Sequence, residues 1–287
     1  MSRTAAGVLY ALGAFGLWGL SPLYWRLLAR VPPVQILMHR IAWSAFFLLF
    51  LVRSRLPELR RALAAPRVVT LLLATTALIG VNWYLYIWAI ASHRVLDSSL
   101  GYYINPLVNV ALGVVVLGER MRRLQGAAAL LALAGVSWLV KVHGHLPWLS
   151  LTLAGTFALY ALLRKKATVD ALTGLAFETF VLTVPSVLGI AWLAAHGRPP
   201  ADARTWLLLA GGAGVTALPL LWFVEAARRL DLKTMGFLQF VSPTLQFLIA
   251  VFAFGEPLSR ERLLSFVLIW AGVALYCADA ALRPRRS

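Results

Sequence analysis

Ten apolar runs, each close to the length of a membrane-crossing helix, follow one another with no connection longer than about 15 residues. They fall roughly at 5–27, 34–52, 68–91, 97–117, 124–140, 148–163, 171–193, 205–226, 234–254 and 262–280. A hydrocarbon core about 30 Å thick is crossed by about 20 residues at 1.5 Å each. Within it every backbone polar group needs an internal partner, which leaves helices or a closed barrel. Strands would be half this length and would alternate, so the expected fold class is all-α integral membrane, with ten transmembrane helices. Only 13% of the residues are charged, against about 25% in a soluble domain. No connection is long enough to hold a soluble domain.

The net charge is +16, which in a soluble chain would suggest nucleic acid. Here the bases gather in short connections, where they act as topology signals and contacts to anionic lipid, so no nucleic-acid partner is expected. With the N-terminus placed inside, 18 of the 27 Lys and Arg lie on the inner side and 8 on the outer, with Arg40 inside a span. Both termini are therefore expected in the cytoplasm. The first run carries Trp18, Pro22, Tyr24 and Trp25 and reaches Leu28, which is a retained helix rather than a signal peptide. The single cysteine, Cys277, excludes an intrachain disulfide and a CxxC metal or redox site.

A repeat is written into the chain at an offset of 137 residues. In 98–119, Ser98, Tyr102, Asn105 and Asn109 share one helical face, Pro106 lies near the middle, and Gly118-Glu119 closes the run. In 235–256, Gln239, Ser242 and Gln246 take the places of Tyr102, Asn105 and Asn109; Pro243 matches Pro106, and Gly255-Glu256 matches Gly118-Glu119. The same offset carries Ala89 to Ala226 and Gly135-Val136 to Gly272-Val273. Five spans per repeat is an odd number, so the second copy enters the membrane upside down, the architecture of many secondary transporters. The expected domains are 1–143 and 144–287, one five-helix repeat each.

Pro106 and Pro243 should each break the helix and free the carbonyl four residues earlier, at Tyr102 and Gln239. A freed carbonyl in lipid must face protein or a wet cavity. The expected substrate contacts are Asn105, Tyr102, Gln239, Ser242, Asn82, Tyr86 and Trp18, joined by Tyr160 and Trp222 in a cavity that suits amphiphilic or aromatic solutes. The alternative is a packing kink with the polar groups hydrogen-bonded between helices. Thr75, Asn82, Tyr86 and His93 are spaced along one face of the third run, whereas the eighth has Gly211, Gly212 and Gly214, which permit close approach. Trp148 and Trp206, at the starts of runs, are expected interfacial anchors.

Arg40 and Glu178 are the deepest charges, and an ionisable group inside a span is a functional hypothesis by default. Each lies about 10 Å from its nearer face, so they should be about 10 Å apart along the normal and unpaired. Arg40, a candidate for an anionic substrate group, is better placed for Asp97 or Glu256; Glu178 is better placed for Arg164 or Lys165. Such pairs would act as gates or as stitches, and Glu178 or Asp97 would carry the proton if transport is coupled. His39 is expected to be a hydrogen-bonded structural residue. Glu119 and Glu256 are expected beside helix N-termini.

Phosphate-loop, HExxH, GxSxG and CxxC patterns are missing, and His93 with Asp97 has no accompanying nucleophile or second ligand. The expectation is a transporter, neither an enzyme nor dependent on a cofactor or metal. A channel and a membrane-embedded enzyme are the other readings.

The segments WGLSPLYW (18–25), HRIAWS (39–44), NWYLYIWA (82–89), SLGYYINPLVNVALGVVVLGER (99–120), LLRKK (162–166), TGLAFET (173–179) and GFLQFVSPTLQFLIAVFAFGE (236–256) resemble the RarD type of the EamA group in the drug/metabolite transporter superfamily. The resemblance covers essentially the whole chain. It implies a bacterial inner-membrane carrier with two inverted five-helix repeats and a central cavity bounded by spans 1, 3, 4, 6, 8 and 9. It further implies export of amino acids, metabolites or drugs, by proton antiport or facilitated diffusion; the expected assembly is a monomer or homodimer. It assigns no residue a role.

Overall fold

The computed structural model describes residues 3–53, 56–117, 123–167, 169–197, 200, 202–227, 229–230, 235 and 238–281. Among them the regular secondary structure is helical. In order come α1 (Arg3–Arg26), α2 (Pro33–Leu51), α3 (Leu56–Leu63), α4 (Pro66–Ala91), α5 (Val95–Leu117) and α6 (Arg123–His143). Then follow α7 (Trp148–Lys166), α8 (Ala171–Ala195), α9 (Ala203–Ala227), α10 (Val241–Leu248, continued by a π turn at Ile249–Ala253) and α11 (Arg260–Ala281). Eight of these helices are long and apolar enough to cross a membrane, and two apolar helices, Trp148–Arg164 and Val241–Ala253, are shorter. Val115, Leu207 and Phe252 are 81%, 74% and 79% exposed, a surface that suits lipid and not water.

Helix starts follow local chemistry. Proline at the first position opens α2 and α4, where its missing N–H costs nothing. Asp170 caps α8 by accepting from the Leu172 and Thr173 amides, each at 3.1 Å. Asp202 does the same for the Thr205 amide at 2.6 Å, and that bond holds its carboxyl below the usual range. Inside the helices, Thr76, Thr183 and Ser186 return their hydroxyls to the carbonyl four residues back, which removes a donor from the apolar surround.

The chain divides into two compact units, each drawn from both halves of the sequence. The first comprises 1–20, 93–158 and 221–287; the second comprises 21–92 and 159–220. In the first unit α6 crosses α11 closely. The position of a Cβ on Gly135 is 3.0 Å from the Ser265 carbonyl and 3.4 Å from Leu268 Cβ. On Gly272 it is 2.8 Å from the Ala128 carbonyl and 3.4 Å from Leu131 Cβ. Each partner is 137 residues from its counterpart, so the two helices make the same contact on each other, antiparallel. The Ser265 hydroxyl, which donates to the Gly135 carbonyl at 2.8 Å, adds a hydrogen bond to the crossing. Beside it Tyr103, Phe247, Phe266 and Trp270 form an aromatic cluster.

In the second unit α2 and α8 also run antiparallel: Met38 lies against Gly189, while Leu48 and Val52 pack with Ala176. Helix α4 packs on both. The amphipathic α3 turns Leu59 into the same core and leaves Arg60 and Arg61 exposed.

Alanine at Gly272 has no room beside the Ala128 carbonyl and should cost about 1–3 kcal/mol. Alanine at Gly155, mid-helix with nothing within 4 Å, should be neutral or stabilising by up to about 1 kcal/mol. Unfolding of the two variants in detergent, followed side by side, checks the difference.

Candidate substrate and gating residues

The polar stripe of the first unit is real, but its atoms are largely committed. Asn105 is buried; its amide donates to the Ala154 carbonyl on α7 at 3.1 Å, and its side-chain oxygen accepts from Asn109 at 3.1 Å. At the equivalent places the Gln246 amide donates to the Ser242 hydroxyl at 3.3 Å. Helices α5 and α10 meet through several polar side chains. Ser99 donates to the Pro243 carbonyl at 2.8 Å, Ser98 to Gln246 at 3.4 Å, and the Tyr103 and Thr244 hydroxyls bond at 2.6 Å. Tyr102 and Gln239 are half-buried.

The two prolines behave differently. Helix α5 runs through position 106 without a break. At the second copy the chain turns at 239–240, and Pro243 sits in the first turn of the new helix. The Gln239 carbonyl is not left free, because the Ser242 amide closes on it at 3.3 Å in a tight turn. Trp18 packs with Phe15 and Phe223, and Trp222 lies over Gly13, all within the first unit.

Glu256 has the most definite role. Gly255 adopts φ 63°, ending the preceding helix, and the next side chain reaches the start of α5. Its two carboxylate oxygens accept from the Val95 amide at 2.7 Å and the Leu96 amide at 2.9 Å. The carboxylate thus sits on the positive end of α5, 160 residues away in sequence, rather than on the helix that follows it. Asp97, in the same turn, bonds Arg94 at 2.8 Å and pairs with Arg262 at 3.5 Å. Its backbone carbonyl accepts from Ser150 at 2.7 Å, and the Arg94 guanidinium lies 5.5 Å from the exposed Trp148 ring. Glu119 lies outside the described residues.

The second unit contains two further charged nodes. Arg40 is 9% exposed; its Nε donates to the Thr216 hydroxyl at 2.9 Å, and its guanidinium carbon lies 5.6 Å from the Trp25 ring and 4.8 Å from the Trp83 ring. A hydroxyl and two indole faces thus lie against Arg40. Gly211 and Gly212 admit Tyr24 and Trp25 against α9, as the small-residue run suggests. Tyr86 bonds the Ser21 hydroxyl at 2.8 Å, and Asn82 and Thr75 are buried on the same face of α4. His93 departs from that face: α4 ends at Ala91, and His93 follows with φ 55°. It therefore shares no helix with Asp97. His39 stacks edge-on with Trp206 at 5.1 Å, and its Nε2 is buried without a hydrogen-bond partner, contrary to the structural reading that expects one.

Glu178 is fully buried. Its carboxylate accepts from Thr75 at 2.7 Å and from the Tyr160 hydroxyl at 3.1 Å, with Arg164 Nε at 3.7 Å, the partner expected from its depth. The antiparallel contacts of α2 and α8 place Arg40 and Glu178 roughly 12 Å apart along the helix axes. Among the described residues no group of three His, Cys, Asp or Glu is placed to hold a metal.

Stacked apolar helices of this length and number, with charges held inside them, define a multi-pass α-helical membrane protein. The chain belongs to the EamA-like transporter family, whose pattern matches it twice, over residues 5–141 and 147–277. It is similar to Protein RarD of Salmonella typhimurium, 42% identical over 99% of this chain and 98% of that one. It is also similar to a protein of Vibrio cholerae serotype O1 named "Uncharacterized transporter", 41% identical over 95% of this chain and 92% of the other. A solved crystal structure shares the fold, with a TM-score of 0.61 over 98% of this chain and 99% of that chain, at 22% identity. It is thus a multi-pass bacterial membrane transporter of RarD type.

Glu256→Ala leaves two buried amides at the start of α5 without acceptors and should cost about 1–3 kcal/mol, while Glu256→Gln, which keeps one acceptor, should cost about half as much. Chemical denaturation of the three proteins in the same detergent measures the order.

Proposed function

We propose that the chain is a secondary carrier that exports small organic metabolites or drugs across the bacterial inner membrane by alternating access. In this reading ten spans form two inverted repeats, 1–143 and 144–287, with both termini in the cytoplasm. The observation that carries it is the reciprocal crossing of α6 and α11. Gly135 meets Ser265 as Gly272 meets Ala128, at one constant offset and antiparallel, which is the contact a two-fold axis perpendicular to the helices would generate. An axis so placed lies in the membrane plane, the symmetry of inverted-repeat carriers. The double match of the family pattern agrees with it.

The reading assigns substrate contact to Arg40, Asn82, Tyr86 and Tyr160 in the second unit, and to Trp18, Tyr102, Gln239, Ser242 and Trp222 in the first. Asn105 also belongs to this set, although a substrate reaching it must displace the Ala154 carbonyl or Asn109. Glu178 and Asp97 act as gates, each holding a cation-bearing partner when closed. If export is driven by protons, Glu178 is the group that takes one. Protonation weakens its hold on Arg164 while Thr75 and Tyr160 keep the side chain in place.

Metabolite profiling of vesicles with and without the protein identifies the solute. With that solute in proteoliposomes, Glu178→Gln should lower transport driven by a proton gradient by at least about tenfold and leave exchange at equal pH within about threefold. No solute moved in either condition would overturn the carrier. Cysteines along Ser98–Asn109 labelled from both sides at once would replace it with a channel.

A further inference from the structure

Segment 53–67, between α2 and α4, carries five arginines and a single carboxylate, Glu58, a formal charge of +4. Both neighbouring helices are long and apolar enough to cross a membrane, so their ends deliver this segment to the level of the lipid head groups. Within it α3 turns Leu59 inward, where it packs with the cluster of Val52 and Ala176 and with that of Leu72 and Phe177. Glu58 also turns toward the protein, with its Oε2 buried. The outward side is basic and apolar at once. Arg53, Arg60, Arg61 and Arg67 are exposed, and Leu56 and Leu63 are 45% and 52% exposed. Leu56, Arg60 and Leu63 are spaced i, i+4 and i+7, which is one face of the helix.

We propose that this side of α3 is a docking site for anionic phospholipid, taking the phosphate of the head group on its arginines and the upper acyl chains on Leu56 and Leu63. A helix of eight residues is about 12 Å long, so its charges stand close to one Debye length apart and repel one another unless an anion comes between them. A soluble anion would meet the arginines and leave the leucines in water; an apolar partner would do the reverse. A phospholipid carries phosphate and acyl chain together, and so meets both. Arginine suits the phosphate because its planar fork offers parallel N–H groups, and its aliphatic stem lies on the acyl surface while the guanidinium reaches the head group. Phosphatidylcholine has the same chains and phosphate but adds a cation that opposes the arginines, so the site separates the two lipids by charge. Lipid on the outer side of α3 also holds Leu59 against Leu72 and Phe177. Phe177 adjoins Glu178, and Leu72 lies one turn before Thr75, on the two helices that the Thr75–Glu178 bond joins.

The site stands apart from the carrier reading and is tested without a transported solute. Full-length protein in detergent is equilibrated with equal amounts of phosphatidylglycerol and phosphatidylcholine of identical chains, and the retained lipid is read by native mass spectrometry. Wild type should retain phosphatidylglycerol at least about tenfold over phosphatidylcholine. Arg53→Gln, Arg60→Gln, Arg61→Gln and Arg67→Gln together should bring the two within about twofold. A comparison variant loses the same charge elsewhere, through Arg30→Gln, Arg123→Gln, Arg204→Gln and Arg260→Gln, exposed residues near the ends of four other helices. It should keep at least about half of the wild-type preference. Should the first set fail to fold, Arg60→Gln with Arg61→Gln alone should lower the preference at least about threefold. Equal retention of the two lipids by wild type overturns the proposal, as does a preference that survives loss of the arginines around α3. An equal loss in the comparison variant overturns it too, assigning the effect to net charge. Displacement of the retained lipid by glycerol 3-phosphate at the same concentration also overturns it, assigning the arginines to a soluble anion.

Discussion

The crossing of α6 and α11 is the contact on which the first unit depends. Lipid tails are as apolar as leucine, so helices in a membrane are not driven together by burying apolar surface. They are held by close packing and by hydrogen bonds, and both require backbones to approach. Gly135 and Gly272 permit that approach from the two sides, and Ser265 adds a hydrogen bond across it. Helix α5 packs against both members of the pair, so what is fixed at this crossing sets the frame for the α5 stripe.

The same economy of polar atoms explains why the stripe is less open than its composition suggests. In hydrocarbon an unsatisfied donor costs several kcal/mol, so a side chain that can reach a carbonyl one turn back or on a neighbour does so. Asn109 bonds Asn105 as Gln246 bonds Ser242, at equivalent positions in the two copies. Ser98, Ser99 and Tyr103 join α5 to α10. A polar face within a span thus serves assembly first, and a solute must compete with bonds already made.

The charged groups fall into three kinds. Glu256 completes a helix N-terminus by accepting from two of the amides that the helix itself leaves unpaired. Asp97 and Glu178 are carboxylates each facing cations, with Glu178 held from three sides. Arg40, the third kind, donates to the Thr216 hydroxyl and lies against the Trp25 and Trp83 rings.

Apolar run lengths and the distribution of bases were enough to settle an all-helical membrane protein, because the thickness of a bilayer and its lack of hydrogen-bonding partners leave so few solutions. The offset of 137 residues was equally legible, as was the pairing of Glu178 with Arg164, since depth along a helix follows from counting residues. Partners across the fold were not. That Glu256 closes the start of α5, that Asn105 turns to α7, and that Arg40 lies between two indoles depend on which helices become neighbours. Helix faces alone do not decide this, because one polar face can be satisfied by many partners. The division into two units, each taking helices from both halves of the chain, likewise exists only once close contacts such as Gly135 on Ser265 have chosen among those partners.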